Sequence, residues 1–313
     1  MDAPEPTVNA ADAAGRSGRS LGADAARRLS RDKAAVACFA IILVYAAIAI
    51  IAPFAYSGWK DNLDYANAVQ PPSLKHWLGT DKFGRDVLQE TLLGAQVSMT
   101  VGVMSNIIAV PLGMILGALA GYFGRWIDDL VVWLYTTLSS IPGIVALIAI
   151  KFAFYGKVLF AGTFLQMDLS GLAGIYIALG ILSWIGTCRY VRAEVMKLRE
   201  LDYVVAARAI GRGDLAILAR HIMPNVLHIG IIMFSLGFVG AVMAEVILSY
   251  LGLGVGAGVS SWGSMINAAR MDLVVGRWWE LTAAVTAMFI LVLALNIFGD
   301  RLRDALDPRL RNV

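Results

Sequence analysis

The sequence predicts an all-α, polytopic membrane protein with six transmembrane helices. Composition is the first reason. The 313 residues are 58% hydrophobic and only 16% charged, with a mean hydropathy of +0.70. A soluble domain is about 45–50% apolar and about 25% charged. The second reason is the length of the apolar runs. Six segments reach the roughly 20 residues that cross a bilayer: Ala34–Tyr56, Val97–Tyr122, Leu130–Ile150, Leu169–Cys188, Ile229–Leu253 and Leu281–Phe298. Only the fifth holds a charged residue type, Glu245. The third reason is the loops. With the N-terminus placed inside, 18 of the 26 Lys and Arg residues fall on the inner side, the bias that orients membrane helices.

Taken in order, residues 1–33 are rich in Ala, Gly, Ser, Arg and Asp and read as a mobile cytoplasmic tail. The first span exceeds the apolar core of a signal peptide and follows a long leader of mixed charge, so an uncleaved anchor is expected. It begins a unit of residues 34–96 that ends in an extracytoplasmic segment. There, Thr80 or Asp81 can cap a helix. Phe83, Val87, Leu88 and Leu92 would then share an apolar face on the membrane surface, with Asp81 and Arg85 spaced for an i,i+4 pair.

Span two carries Gly113, Gly117 and Gly121 at every fourth position, a stripe that lets a neighbouring helix approach closely. Pro111 and Pro142, inside spans two and three, remove backbone donors and are expected to bend them. After span five, the alternating Gly252, Gly254, Gly256 and Gly258 read as a flexible or re-entrant outer turn. Glu245 lies deep in span five, where a charge is expensive and an acid is a functional candidate. It either faces a passage or braces a neighbouring helix through Asn106 or Asn296.

The inner loop between spans four and five, Asp202–Asn225, is polar and basic between two hydrophobic spans. It reads as two short helices around a glycine break, ended by a proline. Asp202 and Asp214 are the expected caps, and Gly211 and Gly213 allow the turn. Ala206 and Ala207 offer a slim surface for docking, and Arg208, Arg212 and Arg220 can meet acidic groups.

Several chemistries are excluded. No GxxxxGK[ST] occurs, so the phosphate-cradling loop of an ATPase is missing. The glycine run follows a membrane span, not a strand, and is no nucleotide fingerprint. Cys38 and Cys188 are isolated within apolar spans, and His76, His221 and His228 form no ligand pattern. No catalytic site, cofactor, metal or nucleic-acid partner is expected.

The Asp202–Asn225 loop resembles the coupling loop of ABC importer permeases. Ala206, Ala207, Gly211 and Pro224 stand where that motif has its two alanines, glycine and proline; Val205 replaces its glutamate. Residues His76–Ser98, Ile247–Ile266 and Arg277–Arg311, the last containing LRDALDPRLR, are similar to the dipeptide, oligopeptide and nickel permeases. The resemblance covers about residues 34–311. It implies a type I ABC importer permease architecture, with a core over residues 97–300, a coupling loop at 202–225 and a cytoplasmic tail at 301–313.

It also implies partners in the inner membrane: a second homologous permease, two cytoplasmic ATPase domains, an extracytoplasmic substrate-binding protein and the lipid bilayer. The coupling residues it marks are Asp202, Ala206, Ala207, Arg208, Gly211, Asp214 and Pro224. The glycine stripe then packs either within the subunit or against the second permease. A secondary transporter is the alternative. Such proteins often show inverted repeats or intramembrane coupling charges, and here no repeat is visible and Glu245 stands alone.

Overall fold

A computed structural model of the chain describes residues 21–163, 166–256 and 258–306. The first described element is α1 (Leu21–Arg31), which packs against the last span and buries Ala25. The tail expected to be mobile as far as residue 33 is therefore helical from Leu21 onward. Its Ala, Leu and Arg residues are good helix formers, and packing on the last span supplies what propensity alone lacks. Residues 1–20 lie outside the described residues.

Asp32 then caps α2 (Lys33–Ala55), accepting the N–H groups of Ala34 and Ala35 at 2.9 and 3.3 Å. At about 1.5 Å per residue its 23 residues cross a hydrocarbon layer about 30 Å thick. The segment before span two does not start a helix at Thr80 or Asp81; its helix begins only at Val87. Asp81 is buried and accepts the N–H groups of Phe83 and Arg85, each at 2.8 Å. This local alternative to a helix is one that Asp side chains favour. The expected Asp81–Arg85 pair forms, at 2.6 Å, but within a turn. The guanidinium also lies 4.0 Å from the ring of the buried Trp59. The cap falls later, at Asp86, which accepts from Leu88 and Gln89 and starts α3 (Val87–Phe123).

Helix α3 runs unbroken through Pro111. The third predicted span is two helices, α4 (Arg125–Ser139) and α5 (Gly143–Phe154), bent by 92°. Pro142 stands at the break: it lacks an N–H and disfavours helical geometry in the residue before it. A two-residue antiparallel pair follows, β1 (Val158–Leu159) with β2 (Met167–Asp168), and then α6 (Leu172–Leu198). The hairpin between spans four and five comprises α7 (Asp202–Ala209) and α8 (Asp214–Ile217). A π-helical turn at Leu218–Ile222 leads into α9 (Met223–Tyr250).

The glycine-rich segment after α9 leads into a short helix, α10 (Trp262–Ala269). Gly252 and Gly258 adopt φ of +78° and +87° there, a conformation that glycine takes without strain. Trp262 is fully buried, and its indole donates to the Thr91 carbonyl at 2.9 Å. Helix α11 (Trp279–Leu306) closes the described chain. Among the described residues, five helical stretches can cross a membrane, and the bent α4–α5 pair makes a sixth.

The core is a parallel seam between α3 and α6. A Cβ on Gly113, Gly117 or Gly121 would lie 2.5, 2.6 or 2.7 Å from the carbonyl oxygens of Trp184, Cys188 and Arg192. The glycine stripe is thus spent inside the subunit, where absent side chains let two backbones touch.

Candidate functional site

The α7–α8 hairpin has an apolar underside and an exposed top. Val204, Ala207, Ile217, Leu218, Ile222 and Val226 are buried in one cluster with Tyr122, Val191 and Val195, at the C-terminal ends of α3 and α6. Burial of this face, at about 25 cal/mol per Å² of apolar surface, holds the hairpin to the two helices that form the seam.

Polar contacts add a latch. The Tyr122 hydroxyl donates to Asp214 Oδ1 at 2.7 Å and accepts from Arg208 Nη2 at 3.3 Å. Arg208 Nε lies 3.9 Å from the same carboxylate oxygen, and its guanidinium sits 5.7 Å from the Tyr122 ring. Arg199 Nη1 donates to the Gly121 carbonyl at 3.0 Å, tying the end of α6 to the end of α3.

The turn between the short helices is set by Gly211, at φ +80°. Gly211 N–H donates to the Arg208 carbonyl at 3.0 Å, and Arg212 N–H to the Ala207 carbonyl at 3.1 Å. This pair of bonds satisfies the free carbonyls of α7 in a Schellman arrangement. Asp202 and Asp214 do not cap. Leu201 and Gly213 occupy the cap positions without side-chain bonds, and each acid sits in the first helical turn. There a carboxylate still complements the helix dipole. Pro224 lies in the first turn of α9, directly after the π-helical turn at Leu218–Ile222.

The two alanines separate. Ala206 is exposed, whereas Ala207 is buried against the underside cluster. Ala207 therefore does not belong to the docking surface expected for it; successive residues of a helix face different ways. The outward face instead carries Val205, Ala206, Ile210 and Leu215, with Ile210 77% and Leu215 67% exposed. Tyr122 and Leu215 were not legible as site residues, because a tyrosine at the end of a span and a leucine in a short helix carry no pattern of their own.

The intramembrane candidates do not come together. Glu245 is fully buried, so it faces no opening within this chain. Its Oε1 accepts from Ser249 at 2.6 Å on the same helix, and Oε2 has no hydrogen-bond partner among the described residues. Asn106 is turned to its own helix, donating to the Gly102 carbonyl at 2.8 Å. Asn296 does the same with the Val292 carbonyl at 2.9 Å and is exposed. Neither asparagine braces Glu245. The acid sits one turn before Ser249, whose side chain packs at Gly263 of α10.

Comparison with known proteins now decides the family. Residues 109–312 match the family described as binding-protein-dependent transport system inner membrane component, and residues 20–72 match the N-terminal transmembrane domain of oligopeptide transport permease C. The chain belongs to the binding-protein-dependent transport permeases.

The family match runs through the seam, the bent α4–α5 pair and the α7–α8 hairpin. The permease is 35% identical over 303 residues to the dipeptide transport system permease protein DppC of Bacillus subtilis, covering 96% of this chain and 90% of that protein. It is 35% identical over 287 residues to the glutathione transport system permease protein GsiD of Pectobacterium atrosepticum, covering 91% and 90%. Its fold is similar to that in an inward-facing structure of the MetNI methionine ABC transporter, with a TM-score of 0.50 at 18% identity, covering 70% of this chain and 94% of that one. The type I permease architecture expected from the sequence is thus the one observed.

Proposed function

We propose that this permease forms half of a pathway importing peptides or related small solutes, driven by ATP hydrolysed on separate subunits. The observation that carries this is the two-faced hairpin. Its underside and the Tyr122 latch hold it to α3 and α6, while its outer face leaves Ile210 and Leu215 exposed. Large apolar side chains grouped on a polar loop mark an interaction surface.

Two cytoplasmic ATPase domains are the partners this surface fits. Their closure would push the hairpins of two permeases together. The hairpin cannot yield locally, because its buried face moves with the ends of α3 and α6. The displacement passes along a seam without side chains between the backbones, and close-packed interiors transmit such strain. A second permease supplies the other half of the pathway, and an extracytoplasmic binding protein delivers the solute. The similarity to dipeptide and glutathione permeases favours short peptides as the solute class. The basic-residue asymmetry supports a cytoplasmic position for both termini and the hairpin.

The test is reconstitution of the permease with its partners in vesicles. Peptide uptake should require ATP, the ATPase subunits and the binding protein together, and the purified permease alone should hydrolyse no ATP above background. Robust hydrolysis by the isolated chain, or uptake driven by an ion gradient without the ATPase, would overturn this reading.

A further inference from the structure

An open apolar groove and a cluster of basic residues lie together at one end of the molecule. Long-range contacts fix which end. The Trp279 indole donates to the Thr80 carbonyl at 3.0 Å, so α11 starts beside the segment that follows α2. At the opposite end Arg301 Nε lies 3.4 Å from Asp32 Oδ2, joining the end of α11 to the start of α2. Leu227, in the first turns of α9 just after the hairpin, lines the groove together with Phe39 and Leu302. The groove therefore opens at the hairpin end.

This groove runs between α2, α3, α9 and α11 and encloses about 540 Å³. Phe39, Pro111, Leu227, Ile231, Phe298 and Leu302 are among its walls, Ser235 is its single polar side chain, and no charged residue lines it. Phe39 and Phe298 stack at 5.4 Å and join the α2 and α11 walls. Leu227 and Ile231 are exposed, so the groove is open along α9. Phe39 and Phe298 belong to the apolar spans, whereas Lys33 and Arg301 fall just outside them. Phe39 stands about 9 Å along α2 from Lys33, and Leu302 follows Arg301 directly.

Residues 27–33 supply the charge. Arg27, Arg28, Arg31 and Lys33 are all exposed, against one acid, Asp32. That acid is taken up by capping α2 and by Arg301. On α1, Ala25 is buried and Leu29, one turn on, is half-buried, while Arg27 and Arg31 share another, outer row. Beside them Arg301 and Arg303 are balanced by Asp300 and Asp304 on the last turns of α11. The excess positive charge thus sits on α1 and the first residue of α2.

A basic helix at the end of an apolar span attracts anionic lipid headgroups, and the groove supplies the other half of the match. A hydrocarbon chain needs an apolar trough, and the phosphate ester it carries needs cations where that trough meets water. A helix of a second permease would fill the groove and leave the basic cluster without a counter-charge. Free phosphate would answer the cations and leave the groove empty.

We propose that Arg27, Arg31 and Lys33, with the groove between α2, α9 and α11, form a site for one anionic phospholipid, its phosphate at the basic rim and an acyl chain in the groove.

The experiment is native mass spectrometry of the full-length permease, alone and in its assembled complex, with phosphatidylglycerol and phosphatidylcholine of identical acyl chains. The parent should retain phosphatidylglycerol on the order of tenfold better, since each basic residue near a lipid surface strengthens anionic binding severalfold. That preference should weaken as salt is raised. Arg27→Gln with Arg31→Gln and Lys33→Gln should reduce it to less than about twofold, whereas Arg27→Lys with Arg31→Lys should keep it. Ile231→Trp, which fills the groove, should weaken binding of both lipids severalfold. Leu43→Trp, on an exposed face of α2 outside the groove, should bind as the parent does. Equal retention of the two lipids by the parent, or a preference insensitive to both salt and the Gln variant, overturns the proposal. So does unchanged binding in Ile231→Trp. Loss of the preference in the assembled complex would show that the second permease covers the groove, and glycerol phosphate competing as well as the lipid would show a phosphate site without a chain; either result overturns it.

Discussion

Gly117→Ala tests whether the seam between α3 and α6 is as close as its geometry indicates. A Cβ at Gly117 would lie 2.6 Å from the Cys188 carbonyl oxygen, 3.1 Å from Arg192 N and 3.1 Å from Val191 Cβ. Two of these are backbone atoms of a helix and cannot rotate aside. The helices would have to separate, and Gly113 and Gly121 would lose their contacts too. Overpacking of this kind costs about 1–3 kcal/mol, against a gain of up to about 1 kcal/mol from replacing glycine by alanine in a helix. A net loss of up to about 2 kcal/mol is expected. Gly186, also on α6, is the control, because its Cβ would meet nothing within 4 Å. Gly186→Ala should be neutral or stabilising by up to about 1 kcal/mol. Thermal unfolding of the purified permease in nanodiscs reads both, at about 2–4 °C per kcal/mol for a chain of this order of size. Unchanged melting of Gly117→Ala together with a lowered one for Gly186→Ala would refute the seam.

Ile210→Glu should lower ATPase-coupled uptake with little effect on melting, since Ile210 is 77% exposed. Ala207→Glu should instead destabilise the permease itself, by several kcal/mol for an unpaired buried charge, and equal melting of the two variants would contradict the two-faced hairpin. Glu245→Gln keeps an acceptor for Ser249 and should assemble and transport nearly as the parent does. Glu245→Leu strands the buried Ser249 hydroxyl, at a cost of about 1–3 kcal/mol, and complex yield should fall; normal yield for Leu or lost uptake for Gln would show that the acid serves another purpose. Cysteines at Ser73 and Gly213 should label from opposite faces of the membrane, residue 213 only from the cytoplasm, and labelling of both from outside would reverse the orientation.

The sequence by itself determined the class of this protein. Apolar runs of bilayer length need no partner to be recognised, because lipid imposes the same demand on every helix that crosses it. The same holds for the hairpin: Gly211 and the short helices around it follow from local backbone chemistry, and the structure places them as read. Tertiary packing decided which side of each element is used. Ala206 and Ala207 are the same residue type one position apart, and only the bed of Val191, Val195 and Tyr122 makes one of them surface and the other core. The stripe of Gly113, Gly117 and Gly121 announced a close approach, but its neighbour could be named only once α6 lay against it. Glu245 likewise signalled a buried acid without indicating that Ser249, on its own helix, would answer it and that Asn106 and Asn296 would turn away. Asp81 and Arg85 were paired correctly in the wrong element, since i,i+4 spacing is shared by a helix and by a turn closed on an aspartate. The break at Pro142 was expected as a bend, yet its 92° angle and its place beside Arg189 depend on how α4 and α5 grip opposite halves of α6. Those contacts join residues far apart in the chain, and no local pattern encodes them.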